Sequence, residues 1–243
     1  MRNNKYILVS LLFFMLSQPL FAKELKIAFG LLMPPYVISQ DNKGIEIEIV
    51  KKVFSLNTIN ITPVYVPLAR LPKEFKLNTI DGTLPVLESL GLKDAYYSNA
   101  YISYQNIAIS LQKNNIQINS IKDLKNKDIV SFQNSKKYLG KVFLEAVKNN
   151  KNFYELYDQE KQVKMLFRNR TKVIVIDKNI FNYYKKQLTN TNTDVGITIH
   201  DIFPKTPYKI AFRNEQIRDD FNKGLELLKK QGLYDKIIKK YVK

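Results

Sequence analysis

The chain has 243 residues, of which 45% are hydrophobic, so it is long enough to bury the core of one large domain or two small lobes, and it is not expected to be disordered. Its 39 basic and 22 acidic residues give a net charge of +17, but the lysines are spread along the whole chain, which predicts a solvated basic surface and no nucleic-acid partner. With no cysteine and one histidine, disulfides, thiol chemistry and a transition-metal site are not expected.

The first 22 residues have the pattern of a cleavable secretory signal peptide. Arg2 and Lys5 form a basic start, residues 6–16 are apolar except for Ser10, and Ala22 is a small residue suited to signal peptidase. An uncleaved membrane anchor is the alternative, but the apolar run is short for a membrane span. Because the chain contains no cysteine to carry a lipid, we expect a periplasmic product without a lipid anchor.

The mature chain begins with a run of alternating hydrophobicity at 25–29, which predicts a strand, followed by a loop in which Pro34 and Pro35 exclude a helix. Residues 45–56 fit both a strand and a helical face, but their length and the preceding Gly44 favour a helix. The further elements predicted up to residue 111 are a strand at 59–66, a short helix at 68–77, a strand at 80–84 and a β-prone run at 101–111.

The polar segment 112–119 marks a boundary, after which strands and helices alternate again. The predicted strands lie at 128–132, 153–157, 173–176, 196–200 and 208–212. The predicted helices lie at 121–124, 138–147, 160–167, 180–188, 215–230 and 234–241. This alternation in two blocks predicts an α/β protein with mostly parallel sheets.

Motifs that carry catalysis are missing from the sequence. It contains no GxGxxG or Walker A loop and no GxSxG elbow, and it has only eight glycines. The single histidine, His200, stands at the end of a predicted strand, where a structural role is the more common one. We therefore expect a protein that is not an enzyme and that holds neither a cofactor nor a metal.

Six segments stand in the same order as the motifs of one known family. They are AFG, PY and G within 28–44, VPLAR and DGTLPV within 66–86, YSNAY at 97–101, FQNS and LG within 132–140, VIVID at 173–177, and GLY and KY within 232–241. In these segments the chain resembles the periplasmic solute-binding proteins of polar amino-acid uptake systems, known as bacterial extracellular solute-binding family 3. The resemblance covers residues 24–243.

The resemblance implies a two-lobed fold of the type II-like periplasmic binding proteins, with the ligand in the cleft between the lobes. Lobe 1 would comprise 23–110 and 207–243, and lobe 2 would comprise 111–206. The chain would cross between them near Ser110 and near Pro207, and the lobes would close on the ligand by a hinge motion. Such a protein is expected to be a monomer that delivers a small polar solute to an inner-membrane ABC permease, or presents it to a membrane receptor.

The residues that we place at the ligand on this basis are Tyr36, Arg70, Pro85, Lys93, Asn134, Ser135 and Asp177. In the family, the carboxylate at the position of Asp177 holds the amino group of the ligand, although the same residue is also suited to cap the next helix. Asn134 and Ser135 open a helix and either aim N–H groups at an anion or simply cap it. Tyr36 either forms an aromatic wall of the cleft or packs in the core.

The chain departs from the family where an arginine usually grips the ligand carboxylate. The corresponding stretch, 88–93, reads ESLGLK and contains no arginine. Lys93 could supply a point charge, but it cannot form the two parallel hydrogen bonds of an arginine. Arg70 is the other candidate cation, and solvation at the surface is the alternative for both. This difference puts a standard α-amino-acid ligand in doubt.

Two other functions remain open at this stage. A periplasmic sensory module would present the ligand to a membrane receptor. A cyclohexadienyl or prephenate dehydratase on the same fold would need a carboxylic acid in the cleft, for which Glu88 is the candidate.

Overall fold

A computed structural model describes residues 24–242; the predicted signal peptide lies outside them. The strands are β1 Glu24–Gly30, β2 Asn60–Val66, β3 Gly82–Val86, β4 Tyr96–Tyr97, β5 Ile102–Tyr104, β6 Asn106–Leu111, β7 Ile129–Phe132, β8 Phe153–Leu156, β9 Val173–Asp177, β10 Ile197–His200 and β11 Thr206–Phe212. The α-helices are α1 Ile45–Ser55, α2 Leu71–Lys76, α3 Ser135–Tyr138, α4 Gly140–Val147, α5 Gln159–Phe167, α6 Lys178–Gln187, α7 Glu215–Lys230 and α8 Leu233–Tyr241. Short 3-10 helices occupy Ser39–Asp41, Leu68–Arg70, Glu88–Leu90, Gln112–Asn114 and Ile121–Leu124.

The first lobe is built on a sheet with the strand order β2-β1-β3-β11-β4, to which β5 is added by pairing with β11. Strand β1 runs parallel to β2 and β3, whereas β11 is antiparallel to its neighbours. Helices α1, α7 and α8 pack on one another, and α2 packs on β1 and β3. Residues from both ends of the described chain therefore form one lobe.

The second lobe contains a sheet with the strand order β10-β6-β9-β7-β8. Its central strand β9, with the sequence VIVID, is buried throughout, as its unbroken β-branched run predicts. Strands β7, β8 and β9 are parallel, while β6 and β10 run antiparallel to their neighbours. Each sheet is thus mixed rather than mostly parallel, because β6, β10 and β11, which carry the chain between the lobes, run against their neighbours.

The chain passes from the first sheet to the second at Gln105 and returns between β10 and β11. The side-chain Nε2 of Gln105 donates to Oδ1 of Asp201 at 3.1 Å and to the carbonyl of Phe203 at 2.7 Å, so it ties the two crossings together. Ser110, near which the family resemblance implies the first crossing, lies inside β6 of the second sheet. Pro207 lies in β11, at its pairing with β5.

Among residues 24–242, no helix has both the length and the apolar composition needed to cross a lipid bilayer.

Candidate functional site: the cleft between the lobes

Asp177 is the last residue of β9 and the N-cap of α6. Its Oδ1 accepts the backbone N–H groups of Asn179 at 2.8 Å and Ile180 at 3.1 Å, and its Oδ2 accepts the N–H of Gln105 at 2.9 Å. Burial raises the pKa of this carboxyl to about 6, although these hydrogen bonds favour its charged form. The helix cap that the sequence offered as the alternative role is therefore formed, and ligand contact stays a prediction.

Tyr36 connects the first lobe to Asp177 across the cleft. Its hydroxyl donates to Oδ1 of Asp177 at 3.0 Å and accepts a hydrogen bond from Nδ2 of Asn179, also at 3.0 Å. Its ring stacks on Tyr104, with 4.1 Å between the ring centroids. Burial raises the pKa of Tyr36 well above its usual value, so the hydroxyl stays protonated and keeps its role as a donor. These contacts hold the two lobes closed on each other.

A small cavity lies beside these contacts, between the lobes. The first lobe lines it with Leu68 and Pro85, and the second lobe lines it with Phe132, Gln159 and Asp177. The centre of a water-sized sphere can move through only about 20 Å³ of it, which is room for about one water molecule. A ligand the size of an amino acid therefore needs the lobes to separate before it can enter.

Glu46, on the first turn of α1, is a second buried carboxyl group near the cleft, and the sequence did not single it out. Its Oε1 accepts the hydroxyls of Tyr101 at 2.7 Å and Tyr104 at 2.8 Å, and its Oε2 is buried without a hydrogen-bond partner in the described part of the chain. Burial raises the pKa of Glu46 to about 7, and the nearby charge of Asp177 acts in the same direction. Tyr104 thus separates this carboxyl from the cavity that the same tyrosine lines.

The N-terminus of α3, expected to attract an anion, already holds one from the protein itself. Oε2 of Glu155 accepts the N–H of Asn134 at 3.1 Å, and Oε1 accepts the hydroxyl of Ser135 at 2.8 Å and the N–H of Lys136 at 3.1 Å. Neither Asn134 nor Ser135 is among the residues that line the cavity. The donors predicted for a ligand carboxylate are thus directed at an internal one.

The two candidate cations lie outside the cavity. Arg70 forms an ion pair with Glu74, one turn further along, with 2.8 Å between Nη2 and Oε1, and its side chain is 59% exposed. Lys93 is exposed on the loop between β3 and β4. In the closed cleft, neither residue is placed to hold a ligand carboxylate.

Three further residues were considered in the sequence: Pro85 as a ligand contact, Glu88 as a catalytic acid and His200 as the single histidine. Pro85, in β3, lines the cavity, and the other two do not. Glu88, the candidate acid of a dehydratase, is exposed and forms an ion pair with Lys209. His200 lies in β10 with its Nε2 3.0 Å from Oγ of Ser110, and burial lowers its pKa, as suits a neutral structural histidine.

No protein-family model and no curated protein matches the sequence. Solved structures match the fold over nearly the whole chain. An ancestral arginine-binding protein bound to arginine is 23% identical, with a TM-score of 0.75, and the match covers 90% of this chain and 98% of that one. This chain has the fold of two-lobed solute-binding proteins.

Two further structures with the solute-binding-protein fold show the range of proteins that share it. The substrate-binding protein of an ABC uptake transporter from Streptococcus pneumoniae, with bound histidine, is 18% identical with a TM-score of 0.73, and the match covers 90% of this chain and 92% of that one. A histidine kinase sensor domain similar to periplasmic binding proteins is 14% identical with a TM-score of 0.75, and the match covers 90% and 96% of the two chains. In a fold of this kind, the cleft between the lobes is where a ligand is expected.

Proposed function

We propose that this protein is a periplasmic solute-binding protein that captures a small polar solute for uptake by an inner-membrane ABC transporter. The observation that carries the proposal is the buried carboxyl of Asp177, which ends a strand at the cleft and lines a cavity formed by both lobes. This carboxyl has hydrogen-bond donors from the protein, but the cavity lining offers it no cation, and a ligand with a positive group would supply one.

Two amide side chains add polar groups to the same cavity. Asn106 and Gln159 are both buried, and both line it. Amides of this kind can recognise donors and acceptors of a polar ligand, whereas an apolar ligand would leave them unsatisfied. Of the residues predicted at the ligand, we propose Pro85 and Asp177 as contacts in the closed state, while Tyr36, which is not among the lining residues, positions Asp177 through its hydroxyl.

Binding rather than catalysis is favoured by the position of the candidate acid. Glu88 is exposed and paired with Lys209 instead of facing the cavity. The carboxyl that does face the cavity, Asp177, already accepts four hydrogen bonds, which suits a fixed anchor better than a group that must give and take a proton. The signal-peptide pattern at residues 1–22 is consistent with a periplasmic location.

Thermal melting of residues 23–243 against amino acids, amines, small carboxylates and prephenate tests the proposal. A ligand at 1,000 times its dissociation constant stabilises the folded state by about 4 kcal/mol, which raises the melting temperature by several degrees. We expect such a shift for one chemical class. A cooperatively melting sample that responds to no compound would contradict a binding function, and turnover of prephenate would establish the dehydratase alternative instead.

The sensory alternative shares this cleft and differs only in its partner. The similarity of the fold to a histidine kinase sensor domain is the observation in its favour. Capture of the ligand-loaded protein by a membrane receptor, rather than by an ABC permease, would assign the protein to that class.

A further inference from the structure

The charge of the cavity is opposite to that of the molecule. The chain carries a net charge of +17, yet among the described residues that line the cavity the only charged side chain is the carboxyl of Asp177. No lysine or arginine of residues 24–242 contributes to this lining. A ligand anion would therefore meet a carboxyl and no cation, which disfavours its burial there.

Two of the three features that could have offset this charge are engaged elsewhere. The N–H groups at the start of α3 are satisfied by the carboxylate of Glu155. The guanidinium of Arg70 is paired with Glu74 on its own helical segment. These two sites thus already hold an anion from the protein, and the third candidate, Lys93, is exposed outside the cavity lining.

Four aromatic rings form part of the cavity lining. Tyr104, Phe132, Tyr138 and Tyr208 line it. They follow one another with centroid distances of 4.8 Å from Tyr104 to Tyr208, 6.4 Å from Tyr208 to Tyr138, and 6.4 Å from Tyr138 to Phe132. Aromatic rings around a carboxylate form an environment that favours organic cations, since the negative ring faces attract positive charge.

A second carboxyl group strengthens this preference from behind the rings. Glu46 is fully buried, bonds the hydroxyl of Tyr104, and has one oxygen without a hydrogen-bond partner in the described residues. At a pH above its raised pKa of about 7, Glu46 is ionised, and its charge then attracts a cation in the cleft across a medium of low dielectric constant. The carboxyl of Asp177 also has room for a further donor, because its Oδ2 accepts one hydrogen bond and has a second lone pair.

We propose that the ligand of this cleft is an organic ammonium cation without a carboxylate, with its nitrogen on Oδ2 of Asp177 and its carbon chain among the rings of Tyr104, Tyr138 and Tyr208. This inference rests on the proposed function and specifies its substrate class. The cation enters when the lobes separate, and it then lies between the tyrosines in a wider space than the cavity of the closed cleft, which has room for about one water molecule.

Pairs of related cations, one member with a carboxylate and one without, provide the test. We would measure the affinity of residues 23–243 by titration calorimetry for agmatine and arginine, putrescine and ornithine, cadaverine and lysine, and choline and glycine betaine. We expect at least one amine or choline to bind at least about 30-fold more tightly than its carboxylate partner. A ratio of this size is typical of the cost of burying one charge without its partner.

Variants connect the preference to the cleft. Asp177→Asn keeps a helix-capping side chain but removes the charge. We expect this variant to have an affinity for the cation that is lower by at least about 30-fold. Asp123→Asn is the matched control, since Asp123 also accepts two backbone N–H groups but stands outside the cavity lining. The affinity of this variant for the cation should equal that of the unaltered protein.

Each other outcome has a defined meaning. Equal affinity within every pair, tighter binding of the carboxylates, or an Asp177→Asn variant that binds the cation as well as the unaltered protein would overturn the cation inference and leave the binding function in place. If neither member of any pair binds to protein that melts cooperatively, the cation inference is overturned, and the binding function is overturned with it only if the wider thermal-melting panel also gives no shift.

Discussion

Glu46 and Asp177 are two carboxyl groups that the fold keeps out of water. Burial raises the pKa of Glu46 to about 7 and that of Asp177 to about 6. A carboxyl whose pKa is higher in the folded than in the unfolded state stabilises the fold fully below its unfolded pKa, and this contribution is lost as the pH rises through the folded pKa. Both groups therefore make the protein more stable near pH 5 than near pH 8.

Glu46→Gln isolates the larger of these contributions. The amide resembles the protonated carboxyl, so we expect the variant to melt above the unaltered protein at pH 8, by an amount corresponding to about 2–3 kcal/mol, and to match it near pH 5. Melting temperatures measured from pH 5 to pH 8 test this. An unchanged pH dependence in the variant would mean that Glu46 is not held neutral by the fold.

The sequence identifies some of these residues and not others, for identifiable reasons. Asp177 is recognisable because a polar residue ends an unbroken apolar strand. Glu46 is not, because a glutamate in the first turn of a helix is ordinarily a solvated partner of the helix dipole. The pairing of Arg70 with Glu74 was visible as an (i, i+4) spacing and could have been predicted.

Glu155 shows the limit of residue-level prediction. Its carboxylate reaches the start of α3 because β7 and β8 pair with Ser131 opposite Glu155. That register depends on long-range packing of the whole sheet, which local patterns in a single sequence do not contain. The loss of the expected anion site at Asn134 and Ser135 could therefore only be found in three dimensions.

At the scale of elements, the start of α1 fixes the loop that carries Tyr36. The backbone N–H groups of Ile45 and Glu46 donate to the carbonyls of Pro35 and Tyr36 at 3.1 and 3.0 Å. This approach requires Gly44, which has φ of +127°, and a Cβ added there would lie 2.3 Å from the carbonyl oxygen of Tyr36. The glycine thus couples a helix start to a residue of the cleft.

Gly44→Ala is expected to destabilise the fold by more than about 3 kcal/mol, because its backbone conformation is nearly restricted to glycine and the new methyl group collides with the loop. Gly91→Ala is the control: its φ is also positive, at +60°, but its added Cβ would meet nothing within 4 Å, so about 1 kcal/mol is expected. Urea unfolding of both variants measures the difference. An equal decrease in the free energy of unfolding of both variants would show that the close approach at Gly44 does not contribute to the loss of stability.

Most elements lie within a few residues of their predicted positions, and the differences have local causes. The helix predicted at 138–147 corresponds to α4, which begins at Gly140 with φ of +83°, and a separate short helix, α3, precedes it at 135–138. The β-prone run at 101–111 is divided at Gln105, whose backbone N–H bonds Asp177 instead of a neighbouring strand. A β-propensity pattern cannot show such a break, because the strands on either side belong to different sheets.

At the scale of the whole molecule, the two-lobed architecture follows from the order of motifs along the chain, but the state of the cleft does not. Tyr36, Asp177 and Asn179 join the lobes through side-chain hydrogen bonds between residues more than 140 positions apart. The resulting cavity has room for about one water molecule. Ligand binding therefore requires an open state in equilibrium with this closed one.

The most direct test of a ligand-closed cleft is a distance measurement between the lobes. The chain contains no cysteine, so Lys76→Cys on α2 and Lys141→Cys on α4, both at exposed positions, allow two spin labels to be attached specifically. Without ligand, double electron–electron resonance should show a population in which the distance between the two labels is longer than in the closed cleft. The compound that gives the largest melting shift should move this population to the shorter distance of the closed cleft. A single distance that this compound leaves unchanged would contradict binding by closure of the two lobes.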